Sequence, residues 1–162
     1  MKKKKHLKAC HFTTSTNIPY PPPKTTVIPI EIVELEDNSF HLIVSVEIDG
    51  IRGDMIIDTG ASVTVIDPQI FPEKRKDDQI VQMQSGSVTG QINRVTLLQA
   101  EHFKIGNRKI KKIQLAGIDL NYVNDLYNKH LQRKIIGLLG CDFCVKYGAT
   151  IDYRRKELLL NL

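Results

Sequence analysis

The sequence predicts a mainly β domain, and two features carry that prediction. Runs of strand length, rich in Val, Ile and Thr, recur from residue 27 onwards, and several alternate apolar and polar residues. Turn pairs that contain glycine separate them, at Asp49-Gly50 and at Gly106-Asn107. With 162 residues, 41% hydrophobic and 25% charged, the chain has the length and composition of one globular domain with a buried core.

Residues 1–26 differ from the rest and predict a disordered, basic, Pro-rich lead. Residues 1–24 contain six lysines and no acidic residue, whereas the other 138 carry 17 basic and 18 acidic groups. A fold that binds nucleic acid would place its charge on the folded part, so no nucleic acid is required as a partner. A solvated tail is favoured over an anchor for nucleic acid or an anionic membrane. The folded domain is expected to span residues 27–162.

Nothing in the sequence predicts a transmembrane segment, because no window approaches about 18 consecutive apolar residues. The lysine run near the start is not followed by the apolar stretch of a signal peptide. Cys10, Cys141 and Cys144 show no disulfide-framework spacing. The sequence therefore predicts a cytoplasmic protein.

The first strands lead to a carboxylate. A strand is predicted over 27–33, with Pro29 placing it at an edge, and another over 40–48. After the Asp49-Gly50 turn, the run 51–57 returns as a buried strand that ends at Asp58. Further on, the stretch 68–71 predicts a short helical turn.

The loop Asp58-Thr59-Gly60-Ala61-Ser62 lies between the strand 51–57 and a second apolar run, 63–66. A carboxylate held between two buried strands has little water around it, so its charge depends on its neighbours. Gly60 allows a sharp turn, and the hydroxyls of Thr59 and Ser62 can bond to backbone or carboxylate. Such a loop suits a catalyst better than a core.

The rest of the chain continues as strands with one helix. A polar hairpin tip with two glycines is predicted over 81–91, followed by strands over 94–103 and 109–116. A helix is predicted over 119–132, because the apolar residues there recur on one helical face. These residues are Leu120, Val123, Leu126, Tyr127 and Leu131. A final hairpin is expected from segments 147–153 and 156–160.

A second signature is the apolar run Leu138-Leu139-Gly140, which is followed by Cys141-Asp142 and a helix. Together with Asp58 to Ser62, it resembles the aspartic peptidases, and in a chain this short their retropepsin-like, single-lobe branch of bacterial aspartyl protease type. The neighbouring Ile135-Ile136-Gly137 is an alternative register for the same family element. The order of loop, hairpin, helix, second signature and final hairpin covers about residues 27–162.

The resemblance implies a retropepsin-like acid protease fold: a closed β-barrel-like lobe with one or two short helices, active as a two-fold symmetric homodimer. It assigns catalysis to Asp58 and makes Thr59, Gly60, Ala61 and Ser62 its supporting loop, with Thr59 gripping across the dimer axis. The apolar-Gly element packs behind the aspartate. The polar hairpin is expected to be the flap that closes over substrate, formed by Ser85, Gly86, Ser87, Val88, Thr89 and Gly90.

The chemistry of the family explains why a dimer is expected. Hydrolysis of a peptide bond needs two carboxylates that share one proton, one acting as base and the other polarising the carbonyl. The chain contains one Asp-Thr-Gly, so Asp58 from each of two protomers must meet on a two-fold axis. The predicted activity is that of an aspartic endopeptidase acting on an extended peptide or protein, with no metal and no organic cofactor.

Alternative functions are weighed lower. Cys141 and Cys144 form a C-x-x-C pair, but no βαβ pattern surrounds them and no second pair stands at zinc spacing. Asp77 and Asp78 lie in a charged segment that is typical of a solvent-exposed loop. A catalytically weak, dimeric peptide-binding or assembly module is the rival class, and the intact Asp-Thr-Gly-Ala-Ser loop disfavours it.

Overall fold

The computed structural model describes residues 25–71, 79–81, 85–87, 90–92 and 95–161. Within these ranges the chain forms thirteen β-strands and two short α-helices, which confirms the mainly β class. The strands are β1 (Thr25–Pro29), β2 (Glu31–Glu36), β3 (Ser39–Ile48), β4 (Ile51–Ile57), β5 (Val65–Ile66), β6 (Gln79–Val81), β7 (Ser85–Ser87), β8 (Gly90–Ile92), β9 (Val95–Ile105), β10 (Arg108–Gly117), β11 (Ile135–Leu139), β12 (Thr150–Asp152) and β13 (Glu157–Asn161). The helices are α1 (Asn121–Leu131) and α2 (Cys141–Lys146).

Six of the described strands close into a barrel. Eight strands form one sheet in the order β2-β3-β4-β11-β5-β10-β9-β6. Because β3 pairs with β9 as well as with β4, six of these strands make a closed ring. Within the ring β11 runs parallel to β4, and β10 runs parallel to β5. The closed, barrel-like lobe expected from the family resemblance is therefore confirmed.

The first predicted strand is in fact two strands in different sheets. β1 pairs with β13 at the edge of a sheet ordered β1-β13-β12, whereas β2 pairs with β3 in the barrel sheet. Pro29 has no N–H to continue the ladder, and the next amide, that of Ile30, donates to the carbonyl of Lys156 at 2.9 Å. The edge position predicted from Pro29 is correct, but the prediction of a single strand is wrong.

The turn chemistry predicted from the sequence is found between β3 and β4. Asp49 and Gly50 have φ values of 46° and 88°, the left-handed conformation that a tight two-residue hairpin needs at both positions. The predicted helical turn after β5 is also present, as a single turn. The amide of Ile70 donates to the carbonyl of Asp67 at 3.1 Å, and that of Phe71 to Pro68 at 3.3 Å.

Apolar side chains from nearly every strand of the ring form the main core. A second core lies where α1 packs beside β2. All five residues of the predicted helical face belong to it, with Leu120 and Tyr127 buried. The Tyr127 hydroxyl lies 2.7 Å from Nδ1 of His41, and burial raises the pKa of Tyr127 to about 12. The sequence pattern thus predicted both the helix and the face that it buries.

Arg133, just after α1, ties the helix end to two strands. Its guanidinium donates to Glu31 of β2 through Nη1 and to Asp54 of β4 through Nε, both at 2.7 Å. Burial opposes the charge of Arg133, but these hydrogen bonds outweigh that effect and raise its pKa. Its side chain is 25% exposed, so the pair with Asp54, 20% exposed, is only partly screened by water.

No helix in the described ranges has the length and apolar character that crossing a membrane requires. Residues 1–24 lie outside the described residues, so the predicted lead and the division at residue 27 stay predictions. The cytoplasmic location is likewise still a prediction.

We expect Arg133→Met to lower the free energy of unfolding by about 1–2 kcal/mol, because two charged hydrogen bonds are lost and Asp54 keeps only the hydroxyl of Ser45 as a partner. The matched control is Arg52→Met, which removes an ion pair to Glu47 from a side chain 82% exposed. Its loss should be clearly smaller, because water screens an ion pair between exposed side chains. Urea unfolding of both variants at one protein concentration measures the difference, and equal losses would contradict the expectation.

Candidate active site

The loop that carries Asp58 joins two strands that are separated by a third. It runs from the end of β4 to β5, and β11 lies between these two strands, pairing with both. The loop is therefore held over the end of β11, where α2 begins. This topology places Asp58 beside the second sequence signature, more than 75 residues later in the chain.

Backbone amides of the loop bind the carboxylate of Asp58. Its Oδ1 accepts hydrogen bonds from the amides of Gly60 at 2.9 Å and Ala61 at 3.2 Å. The amide of Ala61 also lies 3.2 Å from the carbonyl oxygen of Asp58, so the loop turns tightly around the acid. Asp58 is partly exposed, and its neighbours Thr59 and Ser62 are exposed in the single chain. The loop thus fixes one carboxylate oxygen and leaves the surface open towards solvent.

The end of β11 touches the loop directly. The amide of Asp58 donates to the carbonyl of Leu139 at 3.0 Å, and the amide of Cys141 donates to the carbonyl of Ala61 at 2.8 Å. Between them, Gly140 packs so closely that a Cβ there would lie 2.5 Å from the carbonyl carbon of Val63. Glycine is required here by space, since its φ of −85° is open to any residue.

The two registers considered for the apolar-Gly element occupy different places. Leu139 and Gly140 contact the loop itself, whereas Gly137 lies within β11, where a Cβ would meet the backbone of Val65 and, at 2.8 Å, the methyl of Met55. Leu138 is partly buried and packs against the second core, the one beside α1. This geometry favours Leu138-Leu139-Gly140 as the element behind Asp58.

Neither Thr64 nor Asp142 has a role predicted from the sequence, and the structure brings the two together beside the Asp58 loop. Thr64 is 2% exposed, and its hydroxyl donates to Oδ1 of Asp142 at 2.7 Å while it accepts the amide of Gly140 at 3.0 Å. The usable signal was a hydroxyl residue at the start of a buried strand, where a polar group must find partners. Its partner is 78 positions away, so the sequence alone could not name it.

The predicted flap coincides with a small hairpin. β7 and β8 pair antiparallel, with Ser85 opposite Ile92 and Ser87 opposite Gly90, and they form a sheet of their own among the described strands. Val88 and Thr89, predicted at its tip, lie outside the described residues. The covering role of this hairpin stays a prediction.

The C-x-x-C pair lies on α2, where both thiols are free and partly buried. Burial raises the pKa of Cys144, with a further contribution from Cys141 and Asp142, and a thiol of raised pKa is a poorer nucleophile at neutral pH. Among the described residues there is also no cluster of three or more His, Cys, Asp or Glu that could hold a metal ion.

Comparison with known proteins places this chain in a family. The model of the aspartyl protease family matches residues 44–143, more than half of the chain, so the chain belongs to that family. The match includes the Asp58 loop and extends through Gly140 to Phe143. A comparison with curated proteins found no match.

A solved structure supports the fold. A retropepsin-like aspartic protease from Rickettsia conorii is 18% identical, with a TM-score of 0.53 over 84% of this chain and 89% of its own. A retroviral protease-like domain of Ddi1 from Leishmania major is 13% identical, with a TM-score of 0.49 over 75% of this chain and 88% of its own. The first likeness shows that this chain has a retropepsin-like fold, as the sequence predicted.

We expect Gly140→Ala to lower the free energy of unfolding by about 1–3 kcal/mol, because the added methyl meets backbone of the loop that cannot rotate away. The control is Gly117→Ala on β10, where a Cβ would lie 3.1 Å from Cδ1 of Leu98, the end of a flexible side chain. That change should cost less than about 1 kcal/mol. Chemical denaturation measures both, and an equal or smaller loss for Gly140→Ala would show that the loop does not depend on this contact.

Proposed function

We propose that the protein is an aspartic endopeptidase that hydrolyses peptide bonds with the Asp58 carboxylates of two protomers. The observation that carries the proposal is the Asp58 loop itself. It presents a partly exposed carboxylate fixed by the amides of Gly60 and Ala61, within a chain of the aspartyl protease family. A loop that served only packing would have little reason to hold a carboxylate open to solvent in this way.

The reaction requires a second acid. In the described part of the chain, no other carboxylate is hydrogen-bonded to Asp58, so one protomer supplies half of the pair. In the proposed dimer the ionised Asp58 takes a proton from water, and the resulting hydroxide adds to the peptide carbonyl. The protonated Asp58 of the other protomer gives its proton to the carbonyl oxygen as the tetrahedral intermediate forms. Collapse of this intermediate returns a proton to the leaving nitrogen and breaks the C–N bond.

The remaining predicted residues take supporting roles in this proposal. Thr59 and Ser62, exposed in the single chain, are placed to contact the partner protomer and the outer side of the carboxylate. The hairpin of β7 and β8 covers an extended peptide, whose main chain would bind between hairpin and barrel. No metal or organic cofactor enters the mechanism. We rank a catalytically weak, dimeric peptide-binding module second, because the loop retains both amides around Asp58.

Asp58→Asn should abolish peptide cleavage, because an amide can neither take the proton from water nor give one to the carbonyl oxygen. A fluorogenic peptide library read out by mass spectrometry measures cleavage, since the preferred sequence is not known. Asp125→Asn on the exposed face of α1 is the matched control and should cleave like the unaltered protein. Undiminished cleavage by Asp58→Asn would refute the proposal.

Mixing the two proteins tests the shared site. If each active site needs Asp58 from both protomers, an equal mixture of unaltered protein and Asp58→Asn, allowed to exchange subunits, should lose about half of its activity per unaltered chain. An equal mixture of unaltered protein and Asp125→Asn should keep the full activity per total chain, because both proteins supply an intact Asp58. Full activity in the first mixture would show that one chain suffices for catalysis.

A further inference from the structure

We propose that Thr64 and Asp142 form a positioning pair for the reaction, in which their hydrogen bond sets the orientation of the loop that presents Asp58. The inference rests on the proposed function. We expect the loop to need an acceptor oxygen at residue 142, and not a negative charge there.

The direction of the hydrogen bonds around Thr64 is fixed by chemistry. The amide of Gly140 can only donate, so the Thr64 hydroxyl accepts it, at 3.0 Å. The hydroxyl proton is then available to Asp142, whose Oδ1 lies 2.7 Å away. With Thr64 only 2% exposed, water cannot replace either bond at low cost. Removing the hydroxyl would therefore leave the amide of Gly140 without its partner.

Asp142 is itself held by the backbone of α2. The same oxygen that accepts the Thr64 hydroxyl also accepts the amide of Phe143 at 2.7 Å. The Phe143 side chain is 2% exposed and belongs to the main core. Thr64 is thus linked through one carboxylate oxygen to a helix whose position is set by packing. An amide oxygen at residue 142 could accept both donors equally well, so Asn should replace Asp there.

The link reaches Asp58 because both ends of its loop are attached to one short segment. Four consecutive residues, Leu139 to Asp142, each hydrogen-bond to the loop. Leu139 binds the amide of Asp58, Cys141 binds the carbonyl of Ala61, and Gly140 and Asp142 bind Thr64. Breaking the Thr64 contacts frees one end of the loop while the other stays attached. The expected consequence is a small rotation of the Asp58 carboxylate, which the reaction does not tolerate.

Paired substitutions test the proposal. Thr64→Val keeps the shape of the side chain and removes the hydroxyl, and Thr64→Ser keeps the hydroxyl. In the same way, Asp142→Leu removes the acceptor and Asp142→Asn keeps it. We expect Thr64→Val and Asp142→Leu to lower kcat by about 10- to 100-fold, with KM changed by less than about threefold, because misplacement by about 1 Å costs this much in rate. Thr64→Ser and Asp142→Asn, which keep the hydroxyl and the acceptor, should have kcat values within about fivefold of that of the unaltered protein.

A second measurement does not depend on proteolysis. Hydrogen exchange at the amides of Gly60 and Ala61, which bond to Asp58, should be faster in Thr64→Val and Asp142→Leu than in Thr64→Ser and Asp142→Asn. Circular dichroism confirms that each variant is folded at the temperature used. The double variant Thr64→Val/Asp142→Leu should lose less in kcat than the product of the two single losses, since both substitutions remove the bond between Thr64 and Asp142.

The proposal is overturned if the hydroxyl-free and acceptor-free variants keep both their kcat and their loop exchange rates. It is also overturned if Asp142→Asn is as impaired as Asp142→Leu, because then the charge acts rather than the acceptor. If the unaltered protein cleaves no peptide, the proposed function fails. The exchange measurement alone then decides whether Thr64 and Asp142 order the loop.

Discussion

The structure depends on the close contact between the Asp58 loop and the segment that leads from β11 into α2. At Gly140 the two backbones approach until no side chain fits, and the bonds of Leu139 and Cys141 fasten the loop on both sides of that point. The approach is possible because β11 is inserted between β4 and β5, the strands that the loop connects. Any change that lifts the loop from this segment would move the carboxylate.

The rest of the barrel holds these strands in place. Parallel pairing of β11 with β4 and of β10 with β5 buries the strands around the loop on both faces. The barrel core fixes the inner face of β4, while α1 and the ion pairs of Arg133 fix its outer side. The fold thus orients the partly exposed carboxylate of Asp58 through the amides of its own loop and through the contacts of that loop with the segment after β11. The outer surface of the loop, at Thr59 and Ser62, is exposed in the single chain.

Most of the fold could be predicted from the sequence because its signals are local. The alternation of apolar and polar residues predicted β3, and the Asp49-Gly50 pair predicted the turn after it. Apolar residues at helical spacing predicted α1 together with its buried face. The error at 27–33 has a local cause as well: the two strands on either side of Ile30 follow each other without a turn signal and together resemble one strand. Their assignment to different sheets depends on partners, β13 and β3, that a pattern along the chain does not reveal.

Only the local parts of the candidate site could be predicted from the sequence. Asp58 and its loop, and the run ending at Gly140, carry recognisable motifs, and family resemblance linked them. The bond between Thr64 and Asp142 could not be predicted, because the two residues are 78 positions apart and a long-range hydrogen bond leaves no periodic signal. The sequence alone could not decide between the registers ending at Gly137 and at Gly140. Both glycines are tightly packed in the structure, but only Gly140 contacts the Asp58 loop.

The most direct measurement of the central claim is a crystal structure with a peptide that carries a statine-type hydroxyl in place of the scissile bond. We expect one peptide per two chains, with the hydroxyl within hydrogen-bond distance of both Asp58 carboxylates and the hairpins of β7 and β8 above it. A peptide bound to a single chain, or bound with its hydroxyl away from Asp58, would rule out an active site shared by two protomers.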